Sequence, residues 1–287
     1  MQSEQLNNLL KTYRISVNWD PELWTVTKLE KLKNYMEQNG LDCCVVSVSG
    51  GIDSAVTYKL CKEAQKRYPN IVKKVVALNQ PICSSDWALE RSKELVEKND
   101  LKVIDQTEIF LNLVKKVSSE LEQDKVSFAE SQLKSYMRTP VNYYVSQMLS
   151  GLGYKSIVMG TGNKDEDGYL AYFCKYGDGA VDVQLISDLH KSQVFKLGEF
   201  LKVPDSILKA KPSADLWDGQ EDEEEQRGGE IKDFGVQFMY DPVAYSRDHH
   251  RFDRWEMIRP FKENRYFKEV HKTLNSLIAF LESQLKE

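Results

Sequence analysis

The chain has 287 residues, 41% of them hydrophobic and 29% charged, which suits a globular domain large enough to bury a sizeable core. The net charge of −5 speaks against a nucleic-acid binder, which needs a basic surface for phosphates. No apolar run approaches the ~20 residues of a membrane-spanning helix, and residues 1 to 18 lack the apolar centre of a signal peptide, so no membrane role and a cytoplasmic location are expected. The five cysteines (Cys43, Cys44, Cys61, Cys83, Cys174) match neither a zinc pattern nor a disulfide framework.

In chain order, Asn18-Trp-Asp-Pro21 reads as a helix entry, and residues 25 to 39 carry helical spacing (Leu29, Leu32, Tyr35, Met36) that stops at Gly40. Residues 43 to 48 form a short apolar run, the first buried strand. A glycine turn and a helix from about 54 to 67 follow. A strand is predicted over 72–79, a helix over 85–99 with Ser84 or Ser85 as N-cap, and a strand over 101–104. Helices are predicted over 107–121 and 128–149, then a fourth strand over 156–160. Residues 160 to 182 read as a long functional loop with one short helix, and 190 to 201 as a helix. The acidic run 221–225 reads as a solvated loop. Residues 228 to 266 lack periodicity, and 267 to 285 read as a terminal amphipathic helix. Strands alternating with helices predict a mainly parallel sheet with helices on both faces, a Rossmann-like α/β sandwich, within a single domain over 1–287. In such sheets ligands bind beyond the carboxyl ends of the strands.

The sharpest local signal is Ser49-Gly50-Gly51-Ile52-Asp53-Ser54, directly after the first strand and opening a helix. Glycines let the backbone approach an anion, and the amides of a helix start bind one. The two serines add hydroxyl donors. Asp53 would repel phosphate, so its use in such a place is to hold Mg²⁺. The plain alternative is a tight strand–helix turn capped by serine. No Gly-Lys-Ser/Thr follows, so this is not a Walker A loop.

The segment resembles the SGGxDS loop of the N-type ATP pyrophosphatases, which cleave ATP to AMP and pyrophosphate while activating a carboxylate or carbonyl-type oxygen. GMP synthetase, asparagine synthetase and tRNA-modifying enzymes share that loop. Four later segments narrow the choice: Gly160-Thr161-Gly162-Asn163-Lys164-Asp165-Glu166, Lys175-Tyr176-Gly177-Asp178-Gly179, Asp188-Leu189-His190-Lys191-Ser192-Gln193-Val194, and the stretch from Pro212 to Glu223. Together they resemble the signature set of NAD synthetases over residues 27 to 226. The resemblance implies ammonia-dependent amidation of deamido-NAD, with ATP and Mg²⁺, to give NAD, AMP and pyrophosphate through an acyl adenylate. It implies Asp53 and Glu166 as metal ligands. It implies ATP contacts from Ser49, Gly50, Gly51, Ile52, Asp53, Ser54, Thr161, Lys191 and Ser213. Substrate contacts are implied for Lys134, Arg138, Phe173, Lys175, Asp178 and Asp182, with Asp178, Lys191 and Asp53 in catalytic roles. A homodimer is the family expectation.

Lys134 and Arg138 fall at i and i+4 and so share a helix face. The family carries Lys-Ala-Arg-x-Arg here, and this chain has Tyr136 in place of the first arginine. Amidation of nicotinate mononucleotide on the same scaffold is therefore a second reading. A GMP synthetase-like enzyme and a non-catalytic nucleotide-binding module are further ones, the last at odds with the presence of Asp53, Glu166 and Lys191. Glutamine-dependent members carry a glutaminase domain before the SGGxDS loop, and here the segment up to Val48 is too short for one, so free ammonia or a separate glutaminase subunit is expected. His249 and His250 sit in a basic, aromatic stretch with no metal pattern.

Overall fold

The computed structural model describes residues 19–210, apart from 98, 124, 125, 165 and 168–172. The expectations for Ser213, the acidic run, His249, His250 and the terminal helix lie outside the described residues. Twelve elements occur among those described. They are α1 (Pro21–Gln38), β1 (Cys43–Ser47), α2 (Ile52–Arg67), β2 (Lys74–Asn79), α3 (Asp86–Leu95), β3 (Leu101–Val103), α4 (Thr107–Leu121), α5 (Ser127–Gly151), β4 (Ser156–Gly160), β5 (Val183–Gln184), α6 (Lys191–Phe200) and α7 (Asp205–Leu208).

The strands form one sheet in the order β3-β2-β1-β4-β5, with every neighbouring pair parallel. β1 is central: Val45 lies level with Val76 on one side and Val158 on the other. Both faces of β1 are covered, which explains why it reads as an unbroken apolar run and not as an alternating one. Cys43 and Val45 face a cluster with Val76, Leu78 and Leu149, closed by Val145 of α5. Cys44 points the opposite way, with its Sγ 3.8 Å from the Met36 sulfur of α1. Helices α1, α2 and α6 contact one another, while α5 lies against β1 and β4 and carries α4 on its flank. Cys43, Cys44 and Cys61 are all buried as small core groups.

The strands and helices predicted over 43–160 and 190–201 are present, with ends shifted by a few residues at most. The first helix starts at Pro21, at the expected entry, because proline at the first helical position lacks only an amide that would be unpaired there. The predicted helix 85–99 stops at Leu95. The edge strand β5 was not predicted. It has two residues and is a strand only because Val183 and Gln184 pair with Met159 and Gly160. No helix among the described residues is long and apolar enough to cross a membrane.

The sheet order reverses between β1 and β4. From β1 the chain moves outward through α2 to β2, and from β4 it moves outward to β5. At such a switch point the loops leaving the two strands diverge to opposite faces and open a crevice. The loops that leave here are Ser49-Gly50-Gly51 and Thr161-Gly162-Asn163.

Candidate nucleotide and metal site

The turn after β1 is held by its own serines. The Ser49 amide donates to Ser54 Oγ at 3.2 Å, and the Ser54 hydroxyl donates to the Gly51 carbonyl at 3.1 Å. The Gly51 amide donates to Ser49 Oγ at 3.3 Å. Gly50 has φ +88°, and a Cβ there would lie 2.6 Å from the Ala88 carbonyl oxygen of α3. Glycine is required at this position twice over, by backbone conformation and by close approach. Helix α2 then opens at Ile52, so its free amides face the crevice.

Asp53, in the first turn of α2, and Glu166, beyond β4, meet over the crevice on a single ammonium. Lys191 Nζ donates to Asp53 Oδ2 at 2.6 Å and to Glu166 Oε1 at 2.7 Å, and the Lys191 side chain is 2% exposed. Lys191 reaches this point as the first residue of α6, where the Gln193 side chain accepts from the His190 amide at 2.9 Å. A buried ammonium shared by two carboxylates marks a place where a cation is held in a pocket of negative charge. The donor set is two hard oxygens with no sulfur or imidazole, and no cluster of three metal-ligating side chains occurs among the described residues. Such a set fits magnesium, which takes one or two carboxylates and completes its shell with phosphate oxygens and water.

Asn163, within the Gly160–Glu166 motif, has a part in the site that the sequence reading missed. Its side chain is fully buried. Its Nδ2 donates to Asp53 Oδ1 at 2.9 Å, and its Oδ1 accepts the Glu166 amide at 3.0 Å. Asp167 was missed as well. Its Oδ2 accepts from Gln184 Nε2 at 3.1 Å. Burial, with Asp178 and Glu166 nearby, pushes its carboxyl up to about 7. It packs against Gly162, where a Cβ would collide with its carboxylate, so Gly162 cannot be replaced without moving the acid.

On the β1–β2–β3 side of the turn lies a cavity of about 380 Å³. Ser49, Gln80, Ser84, Asp105 and Thr107 line it, and Arg138 of α5 reaches it. Beneath it runs a chain of amides: Gln106 Nε2 donates to Gln80 Oε1 at 2.8 Å, and Gln80 Nε2 donates to Asn142 Oδ1 at 2.6 Å. Asn142 continues the row that Lys134 and Arg138 begin at four-residue spacing on α5. Lys134 and Asn142 are buried.

The remaining predicted substrate residues lie on the loop before β5. Asp178 Oδ1 accepts the Cys174 amide at 2.8 Å and the Ser135 hydroxyl at 3.2 Å, which ties the loop to α5. Phe173 packs on Gly179, where a Cβ would lie 2.7 Å from the ring. Phe173, Lys175 and Asp178 are exposed. Asp182 is engaged in the framework: Oδ2 accepts the Val158 amide at 2.8 Å and Oδ1 accepts the Tyr143 hydroxyl at 3.1 Å. Thr161 is half-buried at the end of β4. Tyr136 is 40% exposed and donates to Gln132 Oε1 at 3.2 Å.

Comparison with known proteins bears on this geometry. The family model described as NAD synthase matches residues 25–228. An NH(3)-dependent NAD(+) synthetase of Methanococcoides burtonii is 36% identical over 193 residues, 66% of this chain and 68% of the relative. The enzyme of that name from Mesoplasma florum is 34% identical over 236 residues, 78% of this chain and 91% of the relative. Among solved structures, an NMN synthetase from Francisella tularensis superposes with a TM-score of 0.62 at 27% identity, covering 81% of this chain and 96% of that one. The family match spans both loops of the switch point, with the acids and the lysine that meet there, and the chain belongs to the NAD synthase family.

Proposed function

We propose that the chain forms an amide from the nicotinate carboxylate of deamido-NAD and free ammonia at the expense of ATP, releasing NAD, AMP and pyrophosphate. The observation that carries this reading is the Lys191 ammonium held by Asp53 and Glu166 beside the Ser49–Ser54 turn. An anion-binding turn, two hard acids and a lysine ammonium are what a metal–triphosphate complex requires. The nucleoside of ATP occupies the cavity beside the turn, and its phosphates run over the amides of Gly50, Gly51 and Ile52. Asp53 and Glu166 would hold magnesium, which would supply charge neutralisation for the phosphates. Lys191 adds a second positive charge, and Ser213 and Thr161 contribute hydroxyls.

In the first step a nicotinate oxygen bonds to the α-phosphorus and the bond to pyrophosphate breaks. Ammonia then bonds to the acyl carbon, the bond to AMP breaks, and the nitrogen loses a proton. The residues of the chain position the reactants and neutralise charge. Lys134 and Arg138 face the substrate phosphates, Phe173 and Lys175 flank the nicotinate ring, and Asp178 orients the incoming ammonium as it gives up a proton to become the attacking ammonia. Asp182 acts indirectly, by holding β4 against Tyr143.

Nicotinate mononucleotide is the second candidate substrate. Two observations favour it: Tyr136 stands beside Lys134 and Arg138, where the family motif has arginine, and the Francisella neighbour is named an NMN synthetase. The working assembly is a homodimer closed over the open apolar stripe of α4. Mass spectrometry of AMP and amidated product, with ATP, Mg²⁺, ammonium and each acid in turn, tests the function. NAD formed with equimolar AMP is the expected result. Turnover of the mononucleotide alone would reassign the substrate, and turnover of neither by folded protein would end the synthetase reading.

A further inference from the structure

Asp53 and Glu166 come from opposite sides of the switch point, one from the helix after β1 and the other from the segment after β4. Nothing in the chain's connectivity keeps them a metal's width apart, and two carboxylates left to themselves repel. Besides Lys191, whose ammonium takes the cation's own place between the two acids, Asn163 spans the gap. The Asn163 amide donates through Nδ2 to Asp53 Oδ1 at 2.9 Å and accepts the Glu166 backbone N–H through Oδ1 at 3.0 Å. It is wholly buried. Its own segment is anchored, since the next amide, that of Lys164, donates to the Leu189 carbonyl at 2.9 Å and so ties it to the approach to α6.

The arrangement selects oxygens. With Asp53 Oδ1 held by Asn163, Oδ2 is the oxygen that meets the Lys191 ammonium at 2.6 Å. With the Glu166 backbone held by the same amide, Oε1 arrives on the other side of that ammonium at 2.7 Å. Asn163 thus sets the carboxylate rotation on one side and the backbone position on the other. Its bonds to these two residues fall on Asp53 Oδ1 and the Glu166 amide, not on the two oxygens that meet the ammonium.

We propose that Asn163 is the positioning residue of the metal site, presenting Asp53 Oδ2 and Glu166 Oε1 as one preformed pair to the nucleotide-bound divalent cation. This rests on the reading of Asp53 and Glu166 as metal ligands. A side chain that orients ligands in this way is worth about ten- to a hundredfold in metal affinity. A purely structural role would instead lower stability and leave metal affinity unchanged.

The test is Mn²⁺ binding to the full chain, read by electron paramagnetic resonance in the presence of a non-hydrolysable ATP analogue. The variants are Asn163→Leu, of similar size but without hydrogen bonds, and Asn163→Ser. The serine hydroxyl keeps a partner for the Glu166 amide but is too short to reach Asp53, so the serine variant decides the matter if the leucine variant does not fold. The expected result is Mn²⁺ affinity reduced about tenfold or more. In turnover the Mg²⁺ concentration for half-activation should rise by the same factor, with kcat recovering to within about threefold at saturating Mg²⁺. Folded variants with unchanged Mn²⁺ affinity, or with a kcat loss that Mg²⁺ does not rescue, would overturn the assignment. Failure of the unmodified chain to bind Mn²⁺ with the analogue would instead remove the metal-site reading beneath it.

Discussion

At the scale of single residues, the site is built from groups that each satisfy a physical demand of the others. Lys191 is buried with two carboxylates meeting its charge. Replacing it with methionine leaves those acids facing each other, and breaking a buried pair in this way costs about 3–5 kcal/mol, less here because both acids keep some contact with water. Urea unfolding of Lys191→Met should show a loss of that order, and added Mg²⁺ should recover part of it, since a cation then replaces the ammonium. Turnover in the variant should fall by about a hundredfold or more, as expected when a charge that stabilises the transition state is removed.

Asp167 makes a pH-dependent contribution of opposite character. Its carboxyl is raised from 3.8 to about 7, first by burial and then by the neighbouring acids. The folded chain therefore holds a proton that the unfolded chain has released, and stability falls as pH rises from about 4 to about 7. Asp167→Asn should have little effect on the ligand-free melting temperature at pH 4 and raise it at pH 8. An equal shift at both pH values would argue against this account.

At the scale of elements, the turn after β1 and helix α4 make separate demands. Gly50 combines a positive φ with contact against α3, so Gly50→Ala must open the β1–α2 turn away from Ala88. The strain is worth about 1–3 kcal/mol, and the larger expected effect is on KM for ATP, measured by steady-state kinetics. Helix α4 buries Phe110 and Val114 against Ile82, Leu133 and Met137. Ile109, Leu113, Val117 and Leu121 are left 61%, 40%, 46% and 64% exposed. Apolar exposure at helical spacing is typical of a contact face. Leu113→Glu with Val117→Glu should shift sedimentation from dimer to monomer while leaving the far-ultraviolet circular dichroism unchanged.

At the scale of the whole molecule, the described residues form a parallel sheet whose two halves meet at one crevice, and ligands that bridge the halves should stabilise this unit cooperatively. Metal with ATP at one hundred times its Kd should add about 2.7 kcal/mol to the unfolding free energy. Calorimetry with and without both ligands measures this, and Asp53→Asn should abolish the gain.

Much of this architecture was legible without coordinates. Buried parallel strands such as Cys43–Ser47 and Ser156–Gly160 are apolar runs bounded by turn residues, and α4 was placed at its observed ends because its apolar spacing is helical along its length. The glycine turn and its acid were legible because few residues allow a backbone to approach an anion. What the sequence could not determine is set by proximity between distant segments. β5 is a strand only through its pairing with β4. Asp182 carries hydrogen bonds from Val158 and Tyr143 that no local pattern encodes. Asn163 looked like any loop asparagine until folding brought Asp53, 110 positions away, to within 2.9 Å. Local chemistry wrote the parts into the sequence, and the sheet order, which reverses between β1 and β4, decided which parts meet.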